Sequence, residues 1–299
     1  FGKSNNRKMT KPLILVRASW GMIPSTGGKF MYNFDKYTCM KHFLSKTKEC
    51  GYNAIEIPLV FALDFGKNDL ISMLNDYELG ITFQIFTDGP NAPGHESWNG
   101  IFTGHPTPEF TPESAILTFK KQVEGCLEFN PIKINSHSLR DFFTFKEADI
   151  FFNDVLKFQE QINSDNAYSN IAIMHETHRK RFFHSPWVCR DYIINTNNFG
   201  NELKIVADYS HFTCVAETDP SDPHLNDVID KLSSRVYHIH GRVGYDHGPQ
   251  VSDPRAPEWE SYLIGFELWW DNIISKMMNN LDPRCSITFM PEHGPPNYQ

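Results

Sequence analysis

The chain is 299 residues long, with 40% hydrophobic and 14% aromatic residues, 24 of them phenylalanine, so it can build a large packed core and is not a disordered chain. Its 28 Lys and Arg against 36 Asp and Glu leave a formal charge of −8, which argues against a broad phosphate-binding surface and hence against nucleic acid as a partner. No apolar run reaches the roughly 18–20 residues of a membrane-spanning helix, so no membrane partner is expected.

Residues 1–11 are basic and polar and are expected to be a disordered or expression-derived tail ahead of a single domain over 12–299. No signal-peptide pattern follows them. The six cysteines are scattered without a C-x-x-C pair, the usage of reduced, buried thiols in a cytoplasmic protein. Eight short apolar runs then recur along the chain as predicted strands: Leu13–Ser19, Ala54–Val60, Ile81–Thr87, Ile132–His137, Ile171–Glu176, Leu203–Asp208, Val236–His240 and Ser286–Glu292. Several are apolar on both faces, as strands covered on both sides must be. Between them the pattern predicts helices over Phe34–Cys50, Asn68–Leu79, Thr111–Phe129, Lys146–Asn163, Pro186–Asn197, Pro223–Ser234 and Ala256–Asn279.

Thr111-Pro112, Ser185-Pro186 and Asp222-Pro223 place proline at the first helical position. Gly51 and Gly80 follow two helices where a left-handed cap is needed. Eight strand–helix repeats without a Gly- or Ser-rich linker predict a single (β/α)8 TIM barrel of the α/β class. An open doubly wound sheet is the competitor, but Ser25-Thr26-Gly27-Gly28 lacks the spacing of its glycine-rich first turn. The stretch Asp88–Phe110 reads as a functional loop, with Trp98 expected to cover a bound ligand.

In such a barrel the active site lies at the carboxyl ends of the strands, and polar residues collect there. The fourth strand offers Asn135 and His137, the fifth His175, Glu176, His178 and Arg179, the sixth Asp208 and His211, the seventh His238, His240 and Arg242, and the eighth Glu292. Glu176, Asp208, His240 and Glu292 supply three carboxylates and one imidazole from four consecutive strand ends. That is a metal-site pattern for one divalent ion. Oxygen-rich donors favour Mn2+, Mg2+ or Co2+, with Zn2+ or Fe as alternatives. The competing explanation is a set of unrelated ion pairs around the mouth. His238 and His240 share one face, so either can be the seventh-strand ligand. His211 is offset toward a substrate, and His137, His238 and Arg242 join it and Trp98 as candidate substrate-binding residues.

The segments MHETHR (Met174–Arg179), ADYSH (Ala207–His211), HIHGRVG (His238–Gly244) and PEHGPP (Pro291–Pro296) resemble the xylose isomerase-like superfamily of metal-dependent barrels. That superfamily includes sugar and sugar-phosphate isomerases and epimerases and the related apurinic endonucleases. The resemblance runs from Leu13 to Tyr298. It implies one metal on Glu176, Asp208, His240 and Glu292, and substrate contacts from His211 and Arg242. It also implies proton abstraction next to a carbonyl, with Glu176 and Glu292 as the catalytic pair, on a small carbohydrate or hydroxy-ketone. Many barrels of this family pair, so a homodimer is expected.

Two alternatives remain. One is a metal-dependent oxidase or other non-isomerase, which the 13 histidines would suit. The other is an apurinic endonuclease-like phosphodiesterase, against which stand the net negative charge and Asp253-Pro254-Arg255, with arginine where the nuclease ligand histidine belongs.

Overall fold

The computed structural model describes residues 12–23, 25–26, 29–30, 35–88, 110–165, 168, 171–196, 199–200, 202–280 and 285–294. The tail 1–11 and residues 89–109, Trp98 among them, lie outside the described residues. Eight parallel strands close a barrel: β1 Leu13–Ala18, β2 Ala54–Pro58, β3 Gly80–Phe86, β4 Lys133–His137, β5 Ala172–Glu176, β6 Ile205–Ala207, β7 Val236–Gly241 and β8 Ile287–Pro291. Each pairs with its sequence neighbours, and β8 closes on β1 through Leu13–Ile287 and Leu15–Phe289. A two-stranded hairpin, Ser25–Thr26 with Lys29–Phe30, follows β1. The chain is a single-barrel α/β fold.

The outward faces of the strands and the inner faces of the helices form the main apolar core. The helices begin where local chemistry directs. Thr111, Ser185 and Asp222 cap helices whose first residue is proline, and Thr144 forms a reciprocal cap with Glu147 at the head of the helix Phe145–Asn163. Pro58 ends β2, and a short helix, Leu59–Phe65, starts at once. A second short helix, Ser210–Ala216, follows β6. Neither was expected, because both are too short for a helical period to register.

Gly51 takes the left-handed conformation after its helix, with φ 82°. Gly80 does not: Glu78 is the left-handed residue there, with φ 51°. Gly80 instead opens β3, where a Cβ would meet Ile132 Cδ1 at 2.4 Å. All six cysteines are unpaired, and no helix among the described residues is long and apolar enough to cross a membrane.

The barrel interior departs from the branched apolar filling usual for this architecture. Its apolar residues form two separate small clusters, one around Val16, Ala54 and Met290 and one around Ala172, Met174 and Val206. At the floor, Lys133 from β4 is fully enclosed and donates to the carbonyls of Tyr237 and Ser286 (the latter at 2.8 Å) and to Thr288 Oγ1 at 3.0 Å. Burial lowers its pKa to about 7, yet all three donor positions of the amine are occupied, so it serves as a plug.

Candidate metal centre

A register shift between β6 and β7 prepares the site. Ile205 pairs with Val236, but the next residue, Val206, pairs with His238, so β7 carries one extra residue. Strict alternation from Val236 would turn His238 and His240 into the helical shell; the bulge turns them into the barrel. His238 is completely buried one layer below the mouth, its Nδ1 2.7 Å from Thr288 Oγ1 and its Nε2 3.2 Å from Glu56 Oε2. It therefore sits beneath the mouth, whereas the sequence reading set it among the candidate substrate-binding residues at the strand ends. His240, one layer higher, is the seventh-strand residue at the centre.

Around His240 the expected carboxylates gather. Its Nδ1 lies 3.2 Å from Glu292 Oε2 and 3.7 Å from Glu176 Oε1, and Asp208, His240 and Glu292 offer ligand atoms all within 4.8 Å of one another. Glu176 joins Asp208 and His211 in a second such group. Backbone and hydroxyl donors fix the carboxylates: the Asp208 amide donates to Thr177 Oγ1, Ser210 donates to Asp208 Oδ1 through its amide, and Asn135 Nδ2 donates to Glu176 Oε2. Arg242 bridges the rim. It donates to Asp208, to Ser210 Oγ at 3.0 Å and to His211 Nε2 at 2.7 Å, and its Nη1 lies 3.3 Å from Glu292 Oε1. Its guanidinium also stands 5.8 Å over the Trp20 ring.

Charge is concentrated here. Burial, with the Glu292 and Glu176 charges, outweighs Arg242 and lifts Asp208 to about 6. Glu176 is held well below the carboxylate range: burial opposes ionisation, but His137 and His240 prevail. His240 is held well above its usual range against burial by Glu176 and Glu56.

The donor set fits a divalent cation. His240 Nδ1 and Glu292 Oε2 are both buried and 3.2 Å apart, yet neither has a hydrogen-bond partner. Such atoms are costly to leave unsatisfied, and their spacing is that of neighbouring ligands about 2.1 Å from one ion.

No protein-family profile matches the chain, and no curated protein matches its sequence. Solved structures do match its shape. The probable 3-DHS dehydratase of Bacillus anthracis involved in petrobactin synthesis is 14% identical, with a TM-score of 0.56 over 95% of this chain and 94% of its own. Endonuclease IV from Thermus thermophilus is 10% identical, TM-score 0.53, over 95% and 94%. The D-allulose 3-epimerase from Methylomonas sp. is 10% identical, TM-score 0.53, over 96% and 85%. The chain shares its (β/α)8 barrel fold with these proteins.

On this barrel two polar residues escaped the sequence reading. Glu56 on β2 lies 3.1 Å from His240 Nε2 and accepts from Gln84 Nε2 at 2.9 Å; His240 and His238 outweigh its burial and bring it to about 2. A lone Glu inside the apolar run AIEIPLV was its signal. Asp88 receives Arg140 Nη1 at 2.9 Å and Arg181 Nη1 at 2.6 Å at the end of β3. His175, expected among the strand-end polar groups, points outward between Phe119, Phe151 and Phe152, its Nδ1 2.6 Å from Ser138 Oγ. His137 and His178 sit at the mouth beside Glu176, with His137 Nε2 2.9 Å from Glu176 Oε2. The loop over 243–259 is pinned to the end of β8, where the Gly294 amide donates to Gln250 Oε1 at 2.6 Å.

Proposed function

We propose that this protein is a divalent-metal-dependent isomerase or epimerase acting on a small carbohydrate or hydroxy-ketone by proton abstraction next to the carbonyl. The observation that carries this reading is the convergence of Glu176, Asp208 and Glu292 on His240 Nδ1 at the carboxyl ends of β5 to β8. These four residues would hold the ion, with three oxygen donors to one nitrogen favouring Mn2+, Mg2+ or Co2+. When bound, such a cation supplies Lewis-acid stabilisation for negative charge developing on the substrate oxygens.

The protein's own residues divide the remaining work. Glu292, whose side chain keeps 9% of its surface exposed, is the carboxylate of the set nearest the opening and the one we assign as base. It takes the proton from the carbon beside the carbonyl, and the C–H electron pair passes into the enediolate. In an isomerase Glu292 hands the same proton on to the neighbouring carbon; in an epimerase Glu176, on the other side of His240, first takes a proton from solvent and delivers it to the opposite face of the same carbon, while Glu292 releases its proton to solvent. Arg242 keeps Glu292 ionised and lends its guanidinium to substrate hydroxyls, with Trp20 as the wall behind it. His211, fixed by Arg242, orients a substrate hydroxyl.

The test is solvent deuterium uptake at the α-carbon of a panel of ketoses and hydroxy-ketones incubated with the Mn2+-loaded protein. Glu292→Gln is expected to slow exchange by about 100-fold or more. Undiminished exchange would eliminate Glu292 as the base, and no exchange with any wild-type pairing would count against the reaction class.

A further inference from the structure

We propose that Glu56 is the positioning residue of the metal centre: its carboxylate keeps a proton on His240 Nε2 and so presents the Nδ1 lone pair to the ion. This deepens the metal site proposed above and rests on it.

Glu56 stands in the middle of β2, inside the apolar run AIEIPLV, with 1% of its side chain exposed. An apolar side chain would pack there at little cost, whereas a buried carboxylate needs charged or hydrogen-bonding partners. Among the described residues, the charged partners within 4.0 Å of it are two imidazoles and no lysine or arginine. Oε1 lies 3.1 Å from His240 Nε2, and Oε2 lies 3.2 Å from His238 Nε2. Gln84 Nε2 donates to Oε1 at 2.9 Å and holds the carboxylate from the side of β3.

The two nitrogens of His240 keep different company, and that decides where its proton sits. Nδ1 faces Glu292 Oε2 at 3.2 Å and Glu176 Oε1 at 3.7 Å, while Nε2 faces Glu56. A lone pair turned toward an anionic oxygen at such a distance is repelled, and an N–H is attracted. Neither Nε2 is aligned with its oxygen for a hydrogen bond, so Glu56 acts through its charge. With a cation held by Glu176, Asp208 and Glu292, Nδ1 must be bare, and Glu56 keeps the one remaining ring proton on Nε2.

The setting of Glu56 is prepared from the barrel floor. Lys133 Nζ donates to Thr288 Oγ1 at 3.0 Å, which commits a lone pair of that oxygen. The hydroxyl proton then finds its nearer acceptor in His238 Nδ1, at 2.7 Å against 3.4 Å to the Tyr237 carbonyl oxygen. With Nδ1 accepting, His238 carries its ring proton on Nε2 and turns it toward Glu56 Oε2. A second ring proton would meet the Thr288 carbonyl oxygen at 3.2 Å and leave Nε2 protonated too. One direction of polarity thus runs from Lys133 through Thr288 and His238 to Glu56.

Glu56 does not reach the substrate. The small cavity at the mouth is lined by Gln84, Glu176 and Glu292 but not by Glu56. A carboxylate on the distal nitrogen of a metal-binding histidine orients the ring and raises its basicity, and this separates Glu56 from the three carboxylates above it.

The experiment is calorimetric titration of the chelator-stripped full chain with Mn2+, for wild type, Glu56→Gln and Glu56→Met. Both substitutions remove the charge at nearly constant length, and methionine also suits the apolar run. Wild type is expected to bind one equivalent, and each folded variant to bind it about 10–100-fold more weakly. Histidine ring N–H signals in 1H–15N spectra of the Zn2+-loaded protein give a second readout. The His240 Nε2 proton is expected in wild type and is expected to move upfield in Glu56→Gln. Unweakened binding by the variants would overturn the positioning role and leave the metal site standing. Weakened binding with an unmoved N–H signal would also overturn it, since a packing defect leaves the field at Nε2 unchanged. A wild-type His240 ring that carries its proton on Nδ1 would overturn it without any variant. No binding by folded wild type would overturn the metal site and the role of Glu56 together.

Discussion

Gly244 lies under the loop that leaves β7, and a Cβ there would come within 2.6 Å of the Ser210 carbonyl oxygen and 2.8 Å of Thr213 Oγ1. Ser210 cannot yield freely, because it holds Asp208 and receives Arg242. Gly244→Ala is expected to cost about 1–3 kcal/mol in urea unfolding and to weaken metal binding; an unchanged unfolding midpoint would contradict this contact. His175 sets a second expectation. Burial, with Lys204 adding to it, lowers its pKa from 6.5 to about 3. Between those values the unfolded chain binds a proton that the folded chain refuses, so stability falls as pH drops through that window, by about 1.4 kcal/mol per unit. His175→Gln is expected to flatten the dependence of the urea midpoint between pH 6.5 and 4, and an equally steep variant would exclude His175 as its source.

The helix Phe145–Asn163 shows how local chemistry sets an element. Thr144 accepts from the Glu147 amide, while Glu147 accepts from the Thr144 amide at 2.8 Å. Thr144→Ala is expected to lower stability by about 1 kcal/mol, read from chemical denaturation, and no loss would mean that the cap is replaceable by water. Such caps, and the Pro-led starts at Pro112, Pro186 and Pro223, are legible in sequence because every partner lies within three residues. The eight strands are legible for a similar reason, since burial on both faces demands a continuous apolar run. The β7 bulge is not. It depends on how β6 and β7 meet, and a one-residue slip leaves the sequence pattern unchanged while reversing the direction of His238 and His240.

At the scale of the whole molecule, four carboxylates crowd around His240: Glu176, Asp208 and Glu292 at the barrel mouth and Glu56 beneath it, with Arg242 bridging Asp208 and Glu292. Concentrated charge of one sign opposes folding unless cations offset it. A divalent ion that binds only the folded barrel would stabilise it by about 2.7 kcal/mol at 100 times its Kd. Stripping with chelator is therefore expected to lower the Tm by about 5 °C, and restoring Mn2+ to recover it. An unchanged Tm would mean that Arg242 and the protonated histidines already balance the site.

The order of strands and helices, the barrel, and the clustering of acids and imidazoles at strand ends were determined by sequence alone, because each follows from periodicity or from partners close along the chain. Tertiary structure decided the rest. It set His240 at the centre and His238 beneath it, turned His175 out into the shell, and brought Glu56 to His240 across more than 180 positions. It also set His137 against Glu176 and His178. The reason is physical: a ligand sphere is defined by angles between side chains from separate strands, and those angles exist only once the barrel has closed.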